Sequence, residues 1–228
     1  MKISGLQKLT LLDFPEKVAC TVFTFGCNFR CPFCHNALLV EGTAPEAIGE
    51  EEFFSYLSKR KGVLDGVAIT GGEPTLQAGL KDFIRKIKDM GFAVKLDTNG
   101  TRPEVIKELI EEELVDYFAM DVKNSPEKYA ATAGADVDMS KIKESVDLLI
   151  NKAKDCEFRT TVVKGFHEKE DFEKIGALIR GAKKYFLQKF TDSGALLGSV
   201  EGACSDEEME SFVSVAKKYV PAAEIRGK

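Results

Sequence analysis

Three of the six cysteines in this 228-residue chain fall within eight positions, in the run Gly26-Cys27-Asn28-Phe29-Arg30-Cys31-Pro32-Phe33-Cys34-His35-Asn36. Spacings of four and three would align the thiols on a helix, but Pro32 disfavours the helical conformation at Cys31. A loop wrapped around a metal centre is the better reading. Soft thiolates select iron-sulfur clusters or zinc. Zinc needs a fourth ligand, and His35 is too close to Cys34 to close the same tetrahedron. Cys20 lies seven residues back on an extended segment, on the order of 20 Å away at roughly 3.3 Å per residue. A [4Fe-4S] cluster on Cys27, Cys31 and Cys34 instead leaves one iron open to a small molecule, as catalytic metal sites keep a position free. An electron-carrying module would need a fourth ligand that the sequence does not offer.

Other chemistry-bearing residues sit where strands should end. In Thr70-Gly71-Gly72-Glu73-Pro74 the missing side chains let backbone approach a ligand, and Glu73 adds an acceptor for an ammonium group; alone, a glycine pair is an ordinary turn. Asp97 precedes Asn99-Gly100, a hairpin signal. The following Thr101, Pro103 and Glu104 read instead as a strand-to-helix turn with a capping box. Period-two alternation puts Asp121 and Lys123 on one side of a strand, as an ion pair or as ligand contacts. Arg159, within an apolar and β-branched strand, requires an anion, either a cofactor carboxylate or a carboxylate inside the fold. Gln188 is a polar residue in a buried-looking strand. Cys20 and Cys156 read as small buried hydrophobes, Cys204 as a candidate exposed thiol before a helix, and His167 as a solvated residue at a helix start.

The elements that must position these residues alternate. Runs at 18–25, 67–70, 93–98, 117–122, 157–163 and 185–190 are β-rich and mostly apolar on both faces, as in buried parallel strands. Between them lie helical periodicities, among them Leu76, Leu80, Phe83, Ile84 and Ile87, then Ile142, Val146, Leu149, Ile150 and Ala153. Ser205 with Glu208 marks a further helix start. Six strand-helix repeats without a linker argue for one parallel α/β domain over 1–228, either an open doubly wound sheet or an incomplete barrel. The intervals after the first and fourth strands are long, and both follow the strand ends that carry active sites in such folds. Within the second, 124–139 is a candidate rim element for a partner, or else a variable surface loop.

Composition narrows the partners. A formal charge of -5 and a pI near 5.3 argue against nucleic acid. Leu9 to Val18 is interrupted by Asp13, Pro15, Glu16 and Lys17, which fits neither a signal peptide nor a membrane span. Sparse cysteines exclude a disulfide scaffold and suggest a reducing, cytoplasmic setting.

The pattern Cys27-x3-Cys31-x2-Cys34, with an aromatic before the last cysteine, resembles the signature of the radical S-adenosylmethionine (SAM) superfamily. Segments Gly5-Leu6-Gln7-Lys8, Leu12-Asp13-Phe14-Pro15 and Cys34-His35-Asn36, together with Gln188, resemble the activating proteins of anaerobic ribonucleoside-triphosphate reductase over nearly the whole chain. One departure is Glu16, where such sequences usually carry glycine. The resemblance implies a partial (βα)6 barrel of the TIM type and a [4Fe-4S] cluster on the three cysteines. It implies SAM contacts from Phe33 and His35, from Gly71, Gly72 and Glu73 at the amino group, and from Lys123 and Arg159 at the carboxylate. Asp97 and Asp121 would line the polar end, where some relatives hold a monovalent cation. The implied reaction is reductive cleavage of SAM to a 5'-deoxyadenosyl radical that abstracts hydrogen from a glycine of the reductase. Flavodoxin or ferredoxin would be the electron donor. Alternatives are a pyruvate formate-lyase activating enzyme, another glycyl radical enzyme's activase, a small-molecule radical SAM enzyme, or a non-catalytic electron-transfer module.

Overall fold

The computed structural model describes residues 1–40, 48–192, 194 and 196–227; residues 41–47, within the first long interval, lie outside the described residues. In chain order the strands are β1 (Gly5–Thr10), β2 (Ala19–Thr24), β3 (Gly66–Gly71), β4 (Ala93–Thr98), β5 (Tyr117–Asp121), β6 (Cys156–Val162), β7 (Tyr185–Lys189) and β8 (Ala223–Arg226). The helices are α1 (Ala37–Val40), α2 (Glu50–Ser58), α3 (Leu80–Asp89), α4 (Pro103–Glu111), α5 (Tyr129–Ala133), α6 (Met139–Lys152), α7 (Lys169–Leu178) and α8 (Asp206–Ala216). Among the described residues one sheet carries all eight strands in sequential order, with β1 antiparallel to β2 and every later pair parallel. The fold is the partial barrel expected, with the open doubly wound order excluded because no strand is inserted out of sequence.

All six anticipated strands are present, and β1 and β8 are additions. β1 escapes a hydrophobic reading because its centre, Gln7-Lys8-Leu9, is exposed along the sheet edge; a charged edge suits a strand with an unpaired side. The expectation of apolar residues on both strand faces holds for β3 and most of β5, where Ala68, Tyr117 and Ala119 are buried, and is corrected for β4, β6 and the end of β5. One set, including Val67, Ile69, Val94, Leu96, Phe118, Met120 and Phe158, joins the large apolar core. The alternate set, Lys95, Asp97, Asp121, Glu157, Arg159 and Thr161, faces the barrel interior and is charged or polar.

Helix boundaries follow local chemistry. α3 buries Leu80, Phe83, Ile84 and Ile87, but Leu76 belongs to a separate 3₁₀ turn, Pro74–Leu76, because Gly79 at φ +81° interrupts the periodic stretch. α8 has the full capping box: the Glu208 N–H donates to Ser205 Oγ at 3.2 Å, and the Ser205 N–H to Glu208 Oε2 at 2.7 Å. The capping box expected at Thr101 and Glu104 does not form. α4 starts at Pro103, whose fixed φ suits the first helical position, and Thr101 donates instead to Asn99 Oδ1.

The barrel floor is closed by Phe14, packed with Ala19 and Tyr117 at a ring separation of 6.2 Å from the tyrosine. Two residues on, Glu16 adopts φ +61°. This left-handed conformation explains the glycine of related sequences, since a Cβ there costs about 1 kcal/mol. Glu16→Gly is expected to raise stability by roughly that amount, read as a higher urea midpoint.

Candidate active site

A cavity of about 230 Å³ opens at the C-terminal ends of the parallel strands. Every residue singled out as a candidate lines it: Cys27, Cys31, Phe33, Cys34, His35, Gly71, Gly72, Glu73, Asp97, Asp121, Lys123 and Arg159, together with Gln188. Parallel β-sheets place such sites at their carboxyl ends, where side chains from several strands converge.

The cysteine loop is held from behind. The Phe29 N–H donates to Cys27 Sγ at 3.3 Å, and the Cys34 N–H to Cys31 O at 3.0 Å. The Arg30 N–H donates to Ala133 O at 2.8 Å, at the end of α5. Phe29 meets the buried Tyr129 edge to face at 6.5 Å. Gly134 sits so close that a Cβ there would stand 2.2 Å from Arg30 O. The 124–139 segment thus has a structural task that its sequence did not suggest, beside the candidate partner-facing rim. Its inner face is the wall against which the cysteine loop folds, while Glu127, Ala130 and Asp136 face outward.

Burial pushes the Cys27 thiol up to about 11 and raises Cys31 as well. Nearby Lys123 opposes this at both sulfurs. Among the described residues, no three His, Cys, Asp or Glu side chains converge on the position of one metal ion. The three thiols instead share a cavity wall, and soft sulfur donors fit an iron-sulfur centre. Each thiol must lose a proton on ligation, so loading is favoured at higher pH.

The glycine pair lines the cavity and also has a packing task. A Cβ on Gly72 would lie 2.0 Å from Gly26 O, and one on Gly71, at φ +115°, 2.3 Å from the Thr24 nitrogen. The missing side chains thus let the end of β3 pack on the backbone that launches the cysteine loop, and the Glu73 N–H donates to Gly26 O at 2.8 Å. Glu73 itself is buried. Oε1 accepts from the Thr75 N–H, Thr75 Oγ1 and Thr98 Oγ1, and Oε2 from the Asn99 N–H at 2.7 Å. Burial raises its pKa against the pull of these donors. Its carboxylate caps the 3₁₀ turn and ties β3 to β4.

Inside the barrel the charges form a ladder. Lys123 Nζ is 3.0 Å from Asp121 Oδ2, Arg159 Nε is 2.9 Å from Asp121 Oδ1, and Arg159 Nη1 is 3.3 Å from Asp97 Oδ2. Lys95 Nζ pairs with Asp97 Oδ1. Arg159 thus has its anions within the fold. Burial alone would raise the acids, but Arg159 with Lys95 at Asp97, and Arg159 with Lys123 at Asp121, holds both below the usual carboxylate range.

Two leftover residues are corrected. Cys204 is buried rather than exposed. His167 is 4% exposed, not solvated. Its Nε2 lies 2.8 Å from Lys123 O, so that nitrogen carries the hydrogen and donates, while Nδ1 accepts from the Val163 N–H at 3.2 Å. The ring is neutral, and burial lowers its pKa. The unfolded chain therefore binds more protons below about 6.5, and stability is expected to fall with pH from there by up to about 1.4 kcal/mol per unit. His167→Gln, which keeps a donor without titrating, should flatten that slope in urea melts.

Sequence reasoning missed Asn36 and Asn99. Asn36 Nδ2 donates to Gly71 O at 3.2 Å, and Asn99 Nδ2 to Asn28 Oδ1 at 2.8 Å, within 4.0 Å of Cys27 Sγ. For Asn99 the available signal was the Asn-Gly pair, which reads as turn chemistry alone; for Asn36 it was the Cys34-His35-Asn36 segment, which carried a likeness but no role.

Known proteins place this geometry. Residues 21–179 match the radical SAM superfamily. A Methanocaldococcus jannaschii protein provisionally named a glycyl-radical enzyme activating enzyme is 34% identical over 235 residues, covering 98% of this chain and 95% of its own. The pyruvate formate-lyase-activating enzyme of Clostridium pasteurianum is 28% identical over 128 residues, 54% of this chain and 52% of that protein. Streptococcus suis SuiB bound to S-adenosylmethionine shares the fold at a TM-score of 0.72 and 12% identity, over 90% of this chain and 49% of that one. A domain of the Bacteroides vulgatus pyruvate-formate lyase-activating enzyme aligns with a TM-score of 0.58 and 17% identity, over 71% and 99% respectively. Among the described residues, no helix is long and apolar enough to cross a membrane. With three cysteines lining a cavity at the strand ends and these relatives in sequence, the chain belongs to the radical SAM superfamily and, within it, to the glycyl-radical-enzyme activating family.

Proposed function

We propose that this enzyme is an activase that installs a glycyl radical on a partner enzyme, most specifically on anaerobic ribonucleoside-triphosphate reductase. One observation carries the reading: three thiols and a ladder of paired charges line the same cavity, in a chain related over nearly its whole length to a glycyl-radical enzyme activating enzyme. Cys27, Cys31 and Cys34 would hold a [4Fe-4S] cluster. When bound, that cluster and SAM supply the one-electron chemistry that makes a hydrogen-abstracting radical.

The chain's own residues bind, orient and shelter. Lys123 and Arg159 present positive charge to the SAM carboxylate, with Asp97 and Asp121 fixing their positions. Phe33, buried and edge-on to Phe166 at 5.7 Å, offers an apolar wall to the adenine. His35 stacks on Phe190 at 5.5 Å and extends that wall. Gly71 and Gly72 keep the cysteine loop against β3. Phe14 seals the floor, so water and stray hydrogen donors are limited to the open end.

The reductase is favoured by the likeness of residues 5–8 and 12–15 to its activating proteins. Those segments build β1 and the barrel floor, so they speak to kinship. Pyruvate formate-lyase is the second candidate, on the likeness to its activating enzyme.

The test is anaerobic. With reconstituted iron, dithionite and SAM, the protein should form 5'-deoxyadenosine and, mixed with the reductase, a glycyl doublet in the electron paramagnetic resonance spectrum. A doublet on pyruvate formate-lyase alone would reassign the partner; no SAM-dependent change in the cluster signal would overturn the reading.

A further inference from the structure

The resemblance puts the acids Asp97 and Asp121 where some relatives hold a monovalent cation, and their donor set in this chain does not fit one. A cation site needs carboxylate oxygens free to turn toward a common point. Here each of the four oxygens already has a cationic nitrogen: Asp97 Oδ1 has Lys95 Nζ, Asp97 Oδ2 has Arg159 Nη1 at 3.3 Å, Asp121 Oδ1 has Arg159 Nε at 2.9 Å, and Asp121 Oδ2 has Lys123 Nζ at 3.0 Å. Three cationic side chains thus match the two aspartates and the SAM carboxylate one for one, which leaves no net negative charge to draw in a further cation. The next acid, Glu157, is turned away: it is bound by Arg226 at 2.9 and 3.0 Å and by the Tyr117 hydroxyl at 2.8 Å, and it lies 4.0 Å from Arg159.

Lys95 is the residue that makes the difference. It stands two positions before Asp97 on β4, on the same face of the strand. Its side chain is 3% exposed, and it does not line the cavity. It has no contact with the cofactor site of its own, so it is a positioning residue acting through Asp97 and, beyond that, Arg159.

We propose that Lys95 and Arg159 are a built-in replacement for the monovalent cation, so that this enzyme binds SAM independently of alkali ions. The inference rests on the proposed SAM site. A tethered ammonium needs no ion capture from solution and keeps Asp97 aligned with Arg159 whatever the salt. Removing it frees Asp97 Oδ1, leaves two cations against the two aspartates and the SAM carboxylate, and opens room beside them for a metal ion.

The experiment compares SAM binding to the reconstituted full chain in potassium chloride, sodium chloride and choline chloride at equal ionic strength, by equilibrium dialysis with labelled SAM. The wild-type protein is expected to bind equally in all three. Lys95→Ala should bind about tenfold more weakly in choline chloride and recover in potassium or sodium chloride; Lys95→Arg should behave as wild type. A thermal midpoint of Lys95→Ala raised by potassium but not choline would show the same vacancy without SAM. Wild-type binding that requires potassium or sodium would overturn the inference, as would folded Lys95→Ala showing no preference among the salts. Should Lys95→Ala fail to fold, the wild-type comparison decides alone. Failure of the wild type to bind SAM in any salt would overturn the activase reading, and this inference with it.

Discussion

Cys31→Ala is expected to abolish the cluster signal, SAM cleavage and the glycyl doublet together. Of the three loop thiols Cys31 is the most buried, at the turn where its carbonyl accepts from the Cys34 N–H and its sulfur lies 3.7 Å from Ala133 O. Two remaining thiols cannot hold a cluster that three must anchor. Iron content, the low-temperature resonance spectrum and 5'-deoxyadenosine formation should fall to background. Cys20→Ala, Cys156→Ala and Cys204→Ala serve as contrasts. Burial pushes Cys20 up to about 12 and Cys156 up to about 11, and neither they nor Cys204 line the cavity. These variants should keep full iron and lose only packing.

The second large effect is expected at Gly72, where no iron ligand is touched. An alanine methyl at 2.0 Å from Gly26 O cannot be accommodated by a side-chain rotation, because both partners are backbone. Either β3 or the start of the cysteine loop must move, at a cost of about 1–3 kcal/mol, the range of overpacking. Either shift breaks the packing of the cysteine loop on β3, so Gly72→Ala should lower the anaerobic urea midpoint and also the iron retained after desalting. Gly26→Ala is the control. That residue is at φ +88° with open space around its Cβ, so it should cost only the left-handed strain of about 1 kcal/mol and keep its iron.

Much of this is legible in the sequence. The thiol spacing, the strand-end acids and the lone strand arginine each carry a local chemical demand, and such demands survive folding; all twelve positions meet at one cavity. What escaped depends on contacts distant in sequence. Glu73 reads as a free acceptor until Thr98 and Asn99, from the neighbouring strand, occupy its oxygens. His167 reads as a helix-start residue until the β5 loop brings the Lys123 carbonyl to its ring. Gly71 and Gly72 suggest close approach correctly, but only tertiary packing says that the neighbour is Gly26. β1 was invisible because an edge strand with an exposed centre has no apolar alternation to detect.

The separation of the strand faces into an outer apolar layer and an inner charged one has a consequence for how this protein can change. Substitutions between sheet and helices act on stability, and substitutions inside the barrel act on cofactor binding, with the strand backbone between them. Effects at sites that share no partners add nearly independently. A lineage, or an engineer, can therefore adapt the working temperature through positions such as Val67, Val94 and Phe158 while the inner charges stay untouched, and can retune chemistry through Lys95 or Gln188 without rebuilding the wall. Evolvability here is a property of strand pleating: each strand offers alternate residues to two separate selections.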